Sequence, residues 1–132
     1  MEFIRFECII MEEKRYTYKY RPAYGGMEMM IEFGWGTASD PLLAALSAVL
    51  APVRLQVVSQ EDIWANDEIC WQLHSDLGPF RLSRDTWGGL FLEAPQNQEG
   101  LEKLHRMLSE SDMFNSEAAD DRDYTLKGGR PE

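Results

Sequence analysis

Hydrophobic and polar residues alternate over several short segments of this chain, which is the pattern of half-buried β-strands. The alternation predicts seven strands, at residues 2–11, 15–21, 27–35, 53–57, 69–74, 80–83 and 90–93. Short polar stretches rich in glycine, proline and aspartate separate most of them. Because connections this short favour hairpins, we expect successive strands to pair in the antiparallel sense.

Two segments are predicted to be helices, and both have recognisable starts. The first covers residues 42–51, with Asp40 as its N-cap and Pro52 as its stop signal. This segment is apolar on nearly every side, so we expect the helix to be buried. The second covers residues 98–110 after the cap Asn97. Its leucines recur with helical spacing, which predicts an amphipathic helix on the surface of the core.

The resulting order, βββ-α-ββββ-α, predicts an α+β fold in which two helices pack against an antiparallel, curved sheet. The chain has 132 residues, a length typical of one domain. We assign residues 1–114 to this domain. Residues 115–132 contain few hydrophobic side chains and many acids, so we expect a mobile acidic C-terminal tail there.

The net charge of −10 indicates which classes of partner the chain can bind. An acidic chain repels nucleic acids and anionic membranes at long range and attracts cationic surfaces. Charged residues interrupt the N-terminal strand, so we expect no signal segment there. No stretch approaches the ~18 apolar residues that a membrane-spanning helix needs. We therefore expect a cytoplasmic protein that binds neither nucleic acid nor membrane.

Negative charge is grouped in two parts of the sequence. Residues 59–76 contain five acids and no base, and residues 110–123 contain six acids and one base. Trp64 lies within the first group, and Trp87 lies in a glycine-flanked turn; tryptophan contributes strongly to binding energy at protein interfaces. If the two groups converge in space, they form a field that attracts a basic partner. The predicted partner-binding residues are Glu61, Asp62, Trp64, Asp67, Glu68, Glu110 and Asp112.

Each partial catalytic motif in the sequence lacks the residue spacing or the charge that its chemistry requires. The loop at residues 34–36 lacks the third glycine of a dinucleotide fingerprint, and Asp40 places an acid where a phosphate would bind. One Glu-x-x-His pair ends at His105, whereas a di-iron bundle needs two. Cys70 and His74 are too far apart along one strand to share a zinc ion. We therefore predict no catalytic residue, no metal and no cofactor, and expect surface histidines.

The segment from Lys14 to Arg21 interleaves basic residues with tyrosines, as single-stranded nucleic-acid platforms do. Alternation places the tyrosines and the cations on opposite faces of a strand. We therefore expect the tyrosines to pack and the cations to be solvated or to protect a sheet edge.

Each of the two cysteines, Cys8 and Cys70, lies within a predicted strand beside apolar neighbours. We expect both to be buried thiols in a reducing compartment. A disulfide would require their two strands to be neighbours with suitable geometry.

Four features describe the general arrangement of the whole chain: a strand at residues 3–10, the run at residues 88–93, a helix with Leu101, Leu104 and Leu108, and an acidic end. In this arrangement the chain resembles the small acidic immunity proteins of bacterial toxin systems, which bind and block a cognate toxin, often a basic nuclease. The resemblance implies an inhibitor that neutralises a basic protein, such as a toxin domain, by steric and electrostatic blockade. It transfers no residue by position.

Two other functions stay open at this point. Two pairs of adjacent acids flank Trp64, and a carboxylate pair beside an aromatic residue is suited to acid–base chemistry in a cleft of the sheet. A regulatory subunit of a larger assembly is the other alternative. A deep pocket with convergent carboxylates would favour the enzyme, and a convex acidic face would favour a binding protein.

Overall fold

The computed structural model describes residues 16–23, 27–64 and 67–118, so the predicted first strand and Cys8 lie outside the described residues. One sheet contains seven strands: Tyr16–Pro22 (β1), Met29–Phe33 (β2), Gln56–Ile63 (β3), Glu68–His74 (β4), Phe80–Arg84 (β5), Leu90–Glu93 (β6) and Phe114–Glu117 (β7). The helices are Ser39–Val49 (α1), a short 3-10 helix at Ala51–Val53, and Gln98–Ser109 (α2). The predicted α+β class is confirmed.

The strands follow the order β3-β4-β5-β6-β2-β1-β7 across the sheet. The hairpins predicted from short connections are present, since β3 to β6 pair in sequence order and β1 pairs with β2. The two groups of strands join where β6 pairs with β2, for example through Ile31 opposite Leu92. Every pair is antiparallel except β1 with β7, which is parallel.

One face of the sheet packs against both helices. Ile31, Leu92, Leu82 and Trp71 stand opposite one another on β2, β6, β5 and β4, and all four are buried. Both helices contribute leucines to the same apolar cluster, namely Leu42, Leu46, Leu101, Leu104 and Leu108. Burial of each such side chain stabilises the fold by roughly 1.5–3 kcal/mol. None of the described helices is long and apolar enough to cross a membrane.

Helix α1 differs from its prediction at its start and on its outer face. Its N-cap is Ala38, whose side chain makes no capping hydrogen bond. Asp40 lies in the first turn, where its negative charge interacts favourably with the helix dipole. Ala44 and Ala48 are exposed, so α1 is amphipathic rather than buried on all sides. An alanine in the sequence does not show whether its position is buried or exposed, because its methyl group is tolerated on either face of a helix.

Helix α2 agrees with its prediction. The side chain of Asn97 accepts a hydrogen bond from the Gly100 N–H at 3.3 Å, as an N-cap does. The same side chain donates to the carbonyls of Leu77 (2.9 Å) and Pro79 (3.1 Å). The cap therefore also ties the helix to the β4–β5 connection.

Two strands differ from the prediction: β3 has other bounds, and β7 was not predicted as a strand. The strand expected at residues 53–57 begins later, at Gln56, and continues to Ile63 through residues predicted as a polar connection. No side chain of β3 is buried, so the strand has no apolar face whose alternation would reveal it. Residues 115–117, which the composition assigns to the tail, form most of β7. Residues 119–132 lie outside the described part of the chain.

Arg21 corrects the expectation that the cations of β1 are solvated. It is only 3% exposed, and its Nε donates to Glu32 Oε1 at 2.7 Å. Nη1 donates to the Pro22 carbonyl at 2.8 Å, and the guanidinium carbon lies 5.9 Å from the centre of the Phe91 ring. An opposite charge, a carbonyl and an aromatic ring together compensate for burial of this cation.

Candidate protein-binding surface

The register of the sheet brings three connections to one end of the molecule. Ile69 at the start of β4 pairs with Arg84 at the end of β5, so the β3–β4 and β5–β6 connections share this end. Glu32 near the end of β2 pairs with Phe91 near the start of β6, which adds the β2–α1 connection. These connections carry Trp64, Trp87 and Trp35, and we call this region the tryptophan end of the sheet.

The three tryptophans of this end are largely exposed to solvent. Trp64 is 89% exposed, Trp87 77% and Trp35 65%, whereas Trp71 on β4 is 4% exposed and belongs to the core. Neighbouring strands lie about 4.8 Å apart, so the three connections are spread over about 17 Å of the sheet end. A single partner surface is wide enough to contact all three.

The β3–β4 connection brings together most of the residues predicted from the first acidic group. Asp62, Trp64, Asp67 and Glu68 line a shallow cavity of about 200 Å³, together with Ile63 and Ile69. The Asp67 N–H donates to the Trp64 carbonyl at 3.2 Å, and Asp67 has φ of 55°, a left-handed conformation that aspartate tolerates. The cavity thus has apolar walls and an acidic rim.

Glu61 does not line this cavity. It pairs with Cys70 on β4, whereas Asp62 pairs with Ile69, so the two neighbouring acids point to opposite faces of the sheet. Cys70 is a buried free thiol, as predicted.

Trp87 stands on a turn that its neighbour Asp85 organises. Asp85 Oδ1 accepts hydrogen bonds from the N–H groups of Trp87 (3.0 Å) and Gly89 (2.8 Å). Gly88 has φ of 87°, a conformation that glycine adopts without a steric cost. The sequence analysis assigns no role to Asp85, although the aspartate of Asp-Thr-Trp-Gly-Gly is the residue type that such side-chain-capped turns require.

Trp35 lies in the tight turn between β2 and α1. The carbonyl of Gly34 accepts from the Thr37 N–H at 3.3 Å and from Thr37 Oγ1 at 2.6 Å. The Gly34 N–H donates in turn to the Thr17 carbonyl on β1 at 3.2 Å. Trp35 is not among the predicted binding residues, because it lies outside both acidic groups of the sequence.

Glu110 and Asp112, the remaining predicted residues, lie at the same end but at its far side. They precede β7, whose first residue Phe114 pairs with Tyr16 at the start of β1. Among the strands of the described residues β3 and β7 are the outermost, so five to six strand spacings, or about 24–29 Å, separate the two acidic groups. The groups therefore share one end of the sheet without merging into one cluster.

The connections at this end are strongly acidic. Residues 34–38, 62–68, 84–89 and 110–113 together contain one base, Arg84. They contain six acids, namely Asp62, Asp67, Glu68, Asp85, Glu110 and Asp112. A surface with this balance of charge attracts cationic partners and disfavours anionic ones.

The same residues do not form an enclosed catalytic site. Asp62 and Asp67 are exposed at a shallow cavity rather than held in a deep cleft. Within residues 16–23, 27–64 and 67–118, no group of three His, Cys, Asp or Glu side chains is placed to hold a metal ion.

His105, expected at the surface, is partly buried in a network that joins α2 to β1. The Tyr18 hydroxyl lies 2.9 Å from His105 Nδ1 and donates to the His105 carbonyl at 3.1 Å, while the Tyr20 ring stacks on the imidazole at 4.3 Å. Burial raises the pKa of Tyr18 to about 12 and lowers the pKa of His105. These contacts link a helix to a strand, so we assign the network to the fold.

Comparison with known proteins identifies no relative from which a function could be inferred. No protein-family model matches the chain, and no curated protein or solved structure matches it either. The resemblance to immunity proteins therefore stays a prediction.

Proposed function

We propose that this protein binds a basic protein partner through the tryptophan end of the sheet and blocks it sterically and electrostatically, as an immunity-type inhibitor does. The observation that carries the proposal is the presence of three exposed tryptophans on one acidic end of the molecule. The proposal includes the cytoplasmic location expected from the sequence. A nuclease toxin is a suitable partner class, because a surface that binds phosphates is itself basic.

The exposed aromatic area would supply a large part of a stable interface. A buried tryptophan or tyrosine covers about 150–250 Å², so the exposed parts of Trp35, Trp64 and Trp87 amount to roughly 350–600 Å². A typical stable interface buries about 800 Å² on each partner. The three side chains would thus supply about half or more of such an interface.

Pre-organised turns favour binding through these residues. The connections that carry Trp87 and Trp35 are held by hydrogen bonds that the Asp85 side chain accepts and the Thr37 side chain donates. Ordering a mobile loop on binding costs free energy, and that cost is smaller where the turn is already fixed. Carboxylates around the tryptophans would then orient a basic surface as it approaches.

Comparative affinity capture from the cells that make the protein tests this proposal. The baits are the wild type, the double variant Asp62→Asn/Asp67→Asn, and the control Glu28→Gln/Glu99→Gln. Both variants remove two exposed carboxylates, but the control acts at the opposite end of the sheet, before β2 and at the start of α2. Asparagine also tolerates the left-handed backbone conformation of residue 67.

We expect the wild type and the control to capture the same basic protein, and the Asp62→Asn/Asp67→Asn variant to capture much less of it. Addition of the wild type should also inhibit the activity of that partner. Equal capture by all three baits, or capture of an acidic protein only, would contradict the proposal.

A further inference from the structure

The free edge of β3 is the second feature that points to a partner. We propose that β3 accepts a strand of the basic partner and so extends the sheet by one strand. This inference rests on the proposed function and specifies how the partner binds. Within the described part of the chain, β3 is one of the two outer strands of the sheet, and no other strand pairs with its outer side.

β3 contributes almost nothing to the core, although it is the longest strand of the sheet. None of its eight side chains is buried, and Val57 and Val58 are 45% and 64% exposed. The adjacent strand β4, by contrast, buries Cys70, Trp71 and Leu73. β3 therefore offers solvent-accessible side chains on both of its faces as well as along its edge.

The backbone of β3 presents regular hydrogen-bonding groups over five residues. Val57 pairs with Leu73 and Ser59 with Gln72, so Val58 is the extra residue of a β-bulge. Register is regular from Ser59 to Ile63. In an antiparallel pair, alternate residues direct their N–H and C=O groups away from the neighbouring strand. A bulge disfavours pairing, so the added strand would lie along residues 59–63.

Charge selects the kind of strand that this edge accepts. Glu61 and Asp62 project to opposite faces, and residues 55–68 contain no base. Like charges opposite each other across two strands are destabilising, whereas opposite charges are favourable. An acidic strand, including β3 of a second copy of this chain, is therefore disfavoured. A strand with basic residues on at least one face is favoured, because either face then meets Glu61 or Asp62.

The edge is continuous with the tryptophan end. β3 finishes at Ile63, and Trp64 follows directly. If a partner strand pairs with residues 59–63, the residue that follows the paired segment would lie beside the cavity lined by Asp62, Asp67 and Glu68. The other outer strand, β7, has only four residues.

Two capped peptides of equal charge test the inference on the full chain. An alternating valine–lysine octapeptide forms strands readily, whereas an alternating glycine–lysine octapeptide does not. Amide hydrogen exchange is followed residue by residue by NMR. We expect the valine–lysine peptide to bind more tightly and to slow exchange by about tenfold or more at alternate residues of 59–63. Amides that already pair with β4 should change little.

The charge-reversed variant Glu61→Lys/Asp62→Lys supplies the matched control, because both side chains are exposed and the edge backbone is unchanged. This variant should no longer bind the valine–lysine peptide. An alternating valine–glutamate peptide should bind it instead and slow exchange at the same amides. A variant that still prefers the valine–lysine peptide would overturn the inference.

The outcomes separate this inference from the proposed function. If both lysine peptides bind equally and protect no amide of β3, the edge does not accept a strand, while binding of a basic partner still stands. If neither lysine peptide binds at low salt, the edge inference is wrong, and comparative affinity capture decides on the proposed function separately.

Discussion

Individual tryptophans differ in what their substitution should change. Trp64→Ala and Trp87→Ala remove exposed side chains, so we expect the free energy of unfolding to change by no more than about 0.5 kcal/mol. Affinity for the captured partner should fall by about 2 kcal/mol or more if these residues are binding hot spots. Trp71→Ala should instead destabilise the fold by about 3–5 kcal/mol, because it empties a buried site.

Denaturant unfolding and titration calorimetry with the partner measure the two quantities separately. Unchanged affinity in both exposed variants would show that the tryptophan end is not the interface.

His105 predicts a pH dependence of stability. Burial lowers the pKa of His105 in the folded protein below its ordinary value of 6.5, so the unfolded chain binds the proton more readily. Its contribution to stability is therefore complete above about pH 6.5 and is lost as the pH falls from there towards the folded pKa. Stability should decrease more between about pH 7.5 and about pH 5.5 in the wild type than in His105→Asn.

Asparagine is the appropriate replacement because its amide can still donate to the Tyr18 hydroxyl but does not titrate. Chemical denaturation at the two pH values gives the comparison, and carboxylates common to both proteins cancel in it. An identical pH dependence would show that the imidazole is not desolvated.

At the scale of elements, the start of α2 is held to the β4–β5 connection by close backbone approach. A Cβ at Gly100 would collide with the Leu77 carbonyl oxygen and with the Asn97 side chain. Helix propensity alone predicts that Gly100→Ala stabilises the helix by about 1 kcal/mol. The contact with Leu77 predicts the opposite, a destabilisation of about 1–3 kcal/mol, because backbone cannot move aside as a side chain can.

Thermal or denaturant unfolding decides between these signs. Lys103→Ala on the exposed side of the same helix is the control and should change stability by less than about 0.5 kcal/mol. A stabilised Gly100→Ala variant would mean that α2 does not approach the β4–β5 connection so closely.

For the whole molecule, the acidic end predicts how binding depends on salt. Exposed charges are screened over about 8 Å at physiological ionic strength, so long-range attraction of a basic partner weakens as salt is added. We expect the association rate constant to fall by about tenfold or more between about 50 and about 500 mM salt. The dissociation rate constant should change much less, because short-range aromatic contacts govern it.

Stopped-flow mixing with the captured partner measures both rates from the tryptophan fluorescence. The Glu28→Gln/Glu99→Gln control should keep the salt dependence of the wild type, and Asp62→Asn/Asp67→Asn should reduce it. A salt-independent association rate would contradict electrostatic attraction.

Local patterns in the sequence determined much of the fold and part of the surface. Alternation placed β1, β2, β4, β5 and β6, because most of the buried hydrophobic side chains of each strand lie on one face. The cap at Asn97 and the spacing of leucines placed α2. The grouping of acids around Trp64 identified one side of the candidate surface, since neighbours in sequence stay neighbours in a short hairpin.

Only the tertiary structure decided which distant segments meet. Successive hairpins place Trp64 and Trp87 at one end, but only the pairing of β6 with β2 brings Trp35 to that same end. Burial of Arg21 likewise depends on Glu32 and Phe91, which belong to other strands. Periodicity reports which side of an element is apolar, but it carries no information about which element lies next to it. The packing of the whole chain determines which elements are neighbours, and the tryptophan end results from that packing.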